Sequence, residues 1–497
     1  MTDAATAPLA PAGPAPSAHA GVATRPTRRM SWRELFQISV YWLALNATWG
    51  GMDIVVTPAR MTDFVCKGLE GEACVGHEQA ILAGIVVSKE VATAIIALAG
   101  ALVALAVQPI AAAASDYTRS RWGRRKPYIF VGTILDVVFL AGIAMSNAFL
   151  AMFAFIALLQ FSANLAQGPF QAYVPDLVPT SQVGIASGLM GVMIITGNLV
   201  GIGAAGIAIA LGDFRWGLAA IAVLELSTML ATVLTVREPP GVAPPRQSSS
   251  LRESVRNTAR AVLSHRSFMW LLGSRCFFLV AVGLLTRMAL FYMRDSIGLT
   301  AGEAALAVVI ASVLVGIMNG VAAFPSALLS DRLGRKTMIY AACAIGLVGM
   351  LPLVVAQHDP AVVVGTVTGA NGPVQATFPV AGFAILLVGA AAGTFLAVDW
   401  ALITDIIPKE TTGRYMGISN VVTAMAGPIA LFSGGIVAGV FNQVTFGLGA
   451  RMAYLMAALF FVIAAILLRP VDQRRWEDVH GDTATTVPAP ADATSPA

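Results

Sequence analysis

Six ionisable side chains lie inside long apolar stretches of this sequence: Asp53, Asp136, Glu225, Arg275, Arg287 and Asp399. A charge placed in hydrocarbon is costly, so each is a functional candidate by default. Asp53 follows Asn46, Trp49 and the Gly50-Gly51 pair, a setting that suits a ligand-binding or proton-linked carboxylate. The nearby Pro58 also fits a residue close to the end of its segment. Asp399 stands beside Trp400. A carboxylate accepts hydroxyl protons and an indole stacks on C–H faces, so this pair suits a polyhydroxylated ligand. The other reading is a structural pair of Asp399 with Arg275 or another cation. Arg275 and Arg287 can each neutralise a carboxylate, and Asp136 and Glu225 read as pairing or peripheral groups.

Gln160, Asn164, Gln167 and Gln171 recur at helical spacing and share one face. With Asn46 they form an amide-rich set. Such a set either lines a polar cavity or hydrogen-bonds neighbouring helices. Nothing else suggests bond-making chemistry. His77, His265 and His358 are scattered in loops or at segment edges and form no metal-ligand cluster, and no nucleophilic triad is apparent. The Gly197 to Gly206 run lacks the Lys-Ser/Thr of a phosphate loop and reads as close helix packing. The expectation is a protein that is not an enzyme, with no metal and no cofactor beyond a coupling proton.

The elements that hold these residues must be membrane helices. Of 497 residues, 57% are hydrophobic and 12% charged; a soluble domain carries about 25% charged residues. Twelve apolar segments fall near 36–58, 90–113, 127–147, 150–174, 183–211, 216–236, 268–293, 304–329, 337–357, 380–404, 414–440 and 449–468. Each is long enough for a spanning helix, which needs roughly 20 residues. The net charge of +4 comes from loops between apolar runs, not from a basic face on a soluble fold, so a nucleic-acid partner is excluded. Arg119, Arg121, Arg124, Arg125, Lys126, Arg332, Arg335, Lys336, Lys409 and Arg414 fall on one side, and the loop from His358 to Pro379 on the other has no Lys or Arg. That asymmetry predicts both termini in the cytoplasm.

The reading divides the chain into an N-terminal tail (1–33), a six-helix half (34–236), a central linker (237–267), a second six-helix half (268–470) and a C-terminal tail (471–497). The tails are rich in Ala, Pro and Thr and read as disordered and cytoplasmic, without a signal peptide. The linker holds the helix-breaking pairs Pro239-Pro240 and Pro244-Pro245; Arg252 to Arg266 reads as a basic surface helix or as solvated chain. Cys66 and Cys74 share one polar loop, where they either pair in an oxidising compartment or stay free, while Cys276 and Cys343 read as packed thiols.

Two local sequences recur in both halves. Ser115-Asp116 leads to Gly123-Arg124-Arg125-Lys126-Pro127-Tyr128, and Ser330-Asp331-Arg332-Leu333-Gly334-Arg335-Lys336 follows about 210 residues later. Asp176-Leu177-Val178-Pro179 with Gly184 and Gly188 parallels Asp405-Ile406-Ile407-Pro408 with Gly413 and Gly417, at a constant offset of 229. These residues resemble the major facilitator superfamily, whose nested repeats imply two pseudo-symmetric six-helix halves and alternating access. The longer first loop, with Val107-Gln108-Pro109-Ile110 and Gln167-Gly168-Pro169, is similar to sucrose-transporter-like carriers and glycoside–cation symporters.

The resemblance implies that spans one, four, seven and ten line a central cavity. It implies a cytoplasmic gate at Asp116, Gly123, Arg124, Arg125, Asp331, Gly334, Arg335 and Lys336. It also implies an Asp and an Arg in span four, for proton coupling and sugar binding; Gln160 and Gln171 stand there instead. An amide hydrogen-bonds a sugar hydroxyl but carries no proton near neutral pH. The candidate substrate or coupling set is Asp53, Asn46, Gln160, Asn164, Gln167, Gln171, Arg275, Asp399 and Trp400. The expected protein is a monomeric plasma-membrane transporter of a sugar or similar polyhydroxylated solute, with proton symport. Two other readings stay open: an exporter or uniporter of an amphipathic solute, and a non-transporting membrane factor that delivers or assembles a pigment or cofactor.

Overall fold

A computed structural model describes residues 28–67, 69, 71–74, 80–82, 85–238, 265–357, 363–369, 372–377, 380–407 and 412–472. The two tails up to residue 27 and from 473, and most of the central linker, lie outside the described residues, and so does Lys409.

The molecule is a bundle of apolar helices. Span two is Lys89–Tyr117, span three Lys126–Met145, span four Phe149–Gln171, span five Val183–Ala210 and span six Arg215–Thr235. Span seven is Arg266–Arg287, span eight Ala301–Leu333, span nine Arg335–Val355, span ten Ile385–Ile406, span eleven Thr412–Val444 and span twelve Leu448–Leu468. These give eleven helices long and apolar enough to cross a membrane among the described residues.

The twelfth predicted span is there in pieces. Span one runs as Trp32–Ser39, Tyr41–Gly51, a π-helical turn at Met52–Val56, and Thr57–Cys66. It is longer than the predicted 36–58 at both ends. Its start is fixed by a capping box, in which Ser31 and Glu34 satisfy each other's backbone N–H groups. Span eight starts on the same device, Thr300 with Glu303. Span seven also carries a π turn, Tyr292–Ser296, beyond Arg287. Spans one and seven open the two halves, so each half's first span carries one such turn, inside span one and at the end of span seven.

The packing repeats with the sequence. Within the first half span one lies on five, two on four, and three on six. Within the second, seven lies on eleven, eight on ten, and nine on twelve. The halves meet where span two packs on eleven and span five on eight, which are again equivalent pairs. Small residues allow close approach. A Cβ at Gly201 would stand 1.9 Å from the Ala47 carbonyl oxygen, and one at Gly393 would stand 2.1 Å from that of Asn319. Any side chain there would separate spans one and five, or eight and ten.

Two features lie outside the helical reading. A short hairpin pairs β1 (Ala80–Leu82) with β2 (Ile85–Val86), and a longer one pairs β3 (Val363–Gly369) with β4 (Gly372–Thr377). The loop of residues 358–379 is therefore partly strand; its β-branched run pairs its own backbone groups while the hairpin packs on span eight, where a Cβ at Gly302 would stand 3.4 Å from Val374.

Cys66 and Cys74 form a disulfide that ties the end of span one to the following turn. Cys343 is buried and Cys276 half-buried, and both are free. Alkylation of the denatured, unreduced chain should therefore modify two of the four cysteines, rising to four after reduction. Four modified cysteines without reductant would contradict the bridge.

Candidate functional site

The charges flagged in the apolar stretches are arranged as pairs. Asp53 sits in the π turn of span one, and its Oδ2 contacts Arg287 Nη1 at the end of span seven, so this ion pair crosses between the halves. Both side chains keep partial exposure, 31% for Asp53 and 20% for Arg287. The pair can therefore exchange partners with a solute. The Arg287 guanidinium lies against Gly427 of span eleven, where a Cβ would stand 3.0 Å from Nη2.

About two turns earlier on span one, Asn46 Oδ1 accepts from Asn198 Nδ2 of span five at 3.3 Å. Asn198 was not singled out from the sequence, because it lies inside the Gly-rich run read as packing. Gly50 is where the two backbones touch, since a Cβ there would stand 2.7 Å from the Asn198 carbonyl oxygen.

A second cross-half pair lies nearer the end away from the basic loops. Lys89 Nζ is 2.7 Å from Asp295 Oδ1, with both side chains almost fully buried. Asp295 belongs to the π turn of span seven. Each cross-half ion pair thus takes its carboxylate from the π turn of a first span. A π turn adds a residue and re-aims side chains, and such turns are frequent at functional sites. Next to Lys89, Glu90 Oε1 accepts from Asn442 Nδ2 of span eleven at 2.8 Å, and Asn442 Oδ1 accepts from Gly449 N at 2.8 Å. The apolar segments read from the sequence run near 90–113 and 268–293, which leaves Lys89 and Asp295 just outside them. Their signal is charge of both signs at the ends of two apolar runs.

Arg275 and Asp399 are fully buried and in contact, joining spans seven and ten inside the second half. Arg275 Nη2 also donates to Thr423 Oγ1 of span eleven at 2.7 Å, and its guanidinium lies 5.2 Å from the Trp400 ring. Phe278 and Phe395 stack beside the pair with ring centroids 3.8 Å apart. Of the two sequence readings of Asp399, this geometry matches the ion pair. Its carboxylate has no exposure, whereas Trp400 is 36% exposed.

The amide face of span four divides. Asn164 Nδ2 donates to the Gln160 carbonyl at 2.8 Å and to its Oε1 at 3.2 Å, while Gln160 packs on Gly100 of span two. Gln171 is exposed and Gln167 half-buried. The first two therefore serve helix contacts in this conformation, and the last two remain accessible.

The basic loops are built alike in the two halves. Asp176 Oδ2 meets Arg124 Nη2 at 2.6 Å and Arg125 Nη2 at 2.9 Å, and Arg125 Nη2 also meets Asp116 Oδ1 at 2.6 Å. Gly123 turns with φ +113°, where Glu238 closes over it, accepts from Arg125 N at 2.9 Å and from Lys126 N at 3.1 Å, and leaves no room for a Cβ. In the second half Arg335 Nε meets Asp405 Oδ2 at 2.9 Å, and Gly334 turns with φ +89°. Lys336 Nζ donates to the Arg469 and Val471 carbonyls at 2.7 and 2.9 Å. Asp331 is exposed. The two repeats seen in the sequence are thus partners: each basic loop holds the Asp at the end of its own half's fourth span. These ion pairs stay within a half, so among the described residues the loops form no ion pair between the halves in this conformation.

The halves close at the other end. Spans five and eight touch at Gly206 and Gly316, and spans two and eleven at Gly435 and Gly439. Towards the basic loops, a Cβ at Gly184, Gly188, Gly191 or Gly320 would meet nothing within 4 Å. Among the described residues the arrangement is sealed by Lys89–Asp295 and open on the basic-loop side.

Known proteins share both the pattern and the shape. The Major Facilitator Superfamily profile matches residues 79–383. The membrane-associated transporter protein of Mus musculus is 33% identical over 87 residues, which cover 14% of this chain and 16% of that protein. The sucrose transport protein SUT1 of Oryza sativa subsp. japonica is 29% identical over 126 residues, covering 21% of this chain and 23% of that protein. The chain therefore matches less than a quarter of the length of these relatives. Among solved structures, the nucleoside transporter NupG superposes with TM-score 0.62 at 12% identity, covering 88% of this chain and 98% of that one. A D-xylose-proton symporter superposes with TM-score 0.60 at 16% identity, covering 88% and 97%. At such identities the likeness is one of fold. With the profile spanning more than half the residues, the chain belongs to the Major Facilitator Superfamily, an integral membrane transporter and not an enzyme.

Proposed function

We propose that the chain moves a sugar or similar small polyhydroxylated solute by alternating access, coupled to a proton, as a monomer in the plasma membrane with both termini and the basic loops in the cytoplasm. The Asp53–Arg287 pair carries this reading, because it joins the two halves and stays partly exposed. A hydroxylated solute offers donors to Asp53 and acceptors to Arg287, so it can take the place of each partner. Exchange of an internal ion pair for a bound solute loosens one cross-half tie as the site fills. The Asn46–Asn198 amides on spans one and five and the accessible Gln167 supply further hydroxyl partners. Similarity to a protein named as a sucrose carrier supports the choice of solute. Uniport is the alternative, favoured by the amides at Gln160 and Gln171.

Uptake of labelled sucrose by proteoliposomes under an imposed pH gradient tests the proposal. Accumulation should follow the gradient, and Asp53→Asn should lower it by about tenfold, the value of one charge-assisted hydrogen bond. Uptake that ignores the gradient would replace symport by uniport. Full uptake by Asp53→Asn would remove Asp53 from the site, and no uptake of sucrose would remove it as substrate.

A further inference from the structure

Behind span one lies a polar cluster that the reading above does not use. Asp136 of span three and Glu225 of span six are both fully buried, and their carboxyl groups are in hydrogen-bond contact. Ser162 Oγ of span four donates to Asp136 Oδ1. Thr48 Oγ1 of span one donates to Glu225 Oε2 at 3.2 Å. The remaining oxygens, Asp136 Oδ2 and Glu225 Oε1, are buried and find no protein donor among the described residues.

Spans one, three, four and six enclose the pair. Besides the hydroxyls of Thr48 and Ser162, they turn towards it only one other titratable group among the described residues, Tyr41 of span one, whose hydroxyl bonds Thr133 of span three at 2.6 Å. Neither acid forms an ion pair with Lys, Arg or His among the described residues. Every other buried carboxylate discussed above has a basic partner or an amide.

Two carboxylates in contact, shielded from water and without a cation, cannot both be ionised. A neutral carboxyl also supplies the donor that the two remaining oxygens need. The geometry points to a proton-binding site: Asp136 and Glu225 hold one exchangeable proton between them and serve as the coupling site that Gln160 cannot provide. This deepens the transporter reading and rests on it.

Span one is the link to the transport path. Thr48 bonds the dyad, Asn46 faces the opposite side towards Asn198, and Asp53 lies in the π turn and meets Arg287. A movement of span one that rearranges the Asp53–Arg287 pair withdraws Thr48 from Glu225 and opens the dyad to water. The proton then leaves from a carboxyl O–H to water on one side, and is replaced from water on the other. No other bond forms or breaks.

Infrared spectroscopy of the full chain in liposomes, with no solute added, reads this site directly. The wild type should show a protonated-carboxyl C=O band at neutral pH that shifts in D2O. Asp136→Asn and Glu225→Gln should each move its frequency, because the hydrogen-bond partner changes, and the double variant should abolish it. A spectrum without such a band, or a band indifferent to both substitutions, would overturn the dyad.

Exchange is tested by locking the closed end. A Cβ at Gly439 would lie 3.6 Å from Ser88 Cβ, within disulfide range, so Ser88→Cys with Gly439→Cys should cross-link spans two and eleven. The band's deuterium exchange should slow by at least an order of magnitude in the cross-linked protein and recover on reduction. Equal rates would separate the dyad from alternating access. Both readouts stand whether or not sucrose proves to be the solute.

Discussion

Asp295→Asn is expected to swing the protein away from the conformation described here and to close the basic-loop side. In this conformation Lys89 and Asp295 are paired at 2.7 Å with almost no exposure. Removing one partner leaves an uncompensated buried charge, which costs about 3–5 kcal/mol. That cost falls only on the state in which the halves meet at this end. Once they part, Lys89 reaches water and the penalty disappears. Moving a two-state equilibrium from 1:99 to 99:1 takes about 5.5 kcal/mol, so the loss of this one pair covers most of that range.

Spin labels on Gly188→Cys and Gly320→Cys would report the change. Both positions lie on the open halves of spans five and eight, with no atom within 4 Å of an added Cβ. With Cys276 and Cys343 replaced, the measured distance should shorten in Asp295→Asn. Lys89→Leu with Asp295→Leu should restore the longer distance, since an apolar pair can replace a buried ion pair without loss. An unchanged distance in Asp295→Asn would mean that Glu90, Asn442 and the glycine contacts hold this end alone.

Much of the architecture could be read from the chain because its physics is local. Apolar runs give the spans, and charged turns at matching offsets give the duplication. The capping boxes at Ser31 and Thr300 explain where two spans begin. Charges in apolar stretches flagged Asp53, Arg275, Arg287 and Asp399, all of which are in ion pairs. Arg275 was one candidate partner for Asp399, but the partner of Asp53 was not legible. Arg287 and Asp53 are brought together by the docking of two halves, which leaves no periodic trace.

The same limit hid the relation between the two repeats. Arg124 and Arg125 hold Asp176, and Arg335 holds Asp405, through helix neighbours far apart in sequence. Lys89 and Asp295 were missed for a different reason. Their polar neighbours read as loop edges; Lys89 does open span two and Asp295 lies in the π turn that closes span seven, yet both are buried where the halves touch. Asp136 and Glu225 were read as pairing or peripheral groups; they are fully buried, each accepting from a hydroxyl of a neighbouring span.

Asp399→Ala should cost the protein its fold, which separates a structural ion pair from a sugar-binding acid. Arg275 is 1% exposed and its contacts are Asp399, Thr423 and the face of Trp400. Without Asp399 its charge stays in the core of the second half, where spans seven, ten and eleven converge, again at about 3–5 kcal/mol. That is comparable to the whole stability of many domains, so detergent-extracted Asp399→Ala should lose most of its monodisperse peak in size-exclusion chromatography. Trp400→Ala removes only the cation–π contact and should keep the peak, at a cost of about 1–2 kcal/mol. Arg275→Met with Asp399→Leu removes both charges and refills the space, and should recover the peak. The decisive comparison is uptake by that double variant. Retained uptake fixes Arg275–Asp399 as scaffold, held behind the solute path by the Phe278–Phe395 stack. If instead Asp399→Ala folds normally and loses only uptake, the carboxylate leaves Arg275 during the cycle and binds the solute, and the indole of Trp400 takes its place over the sugar ring.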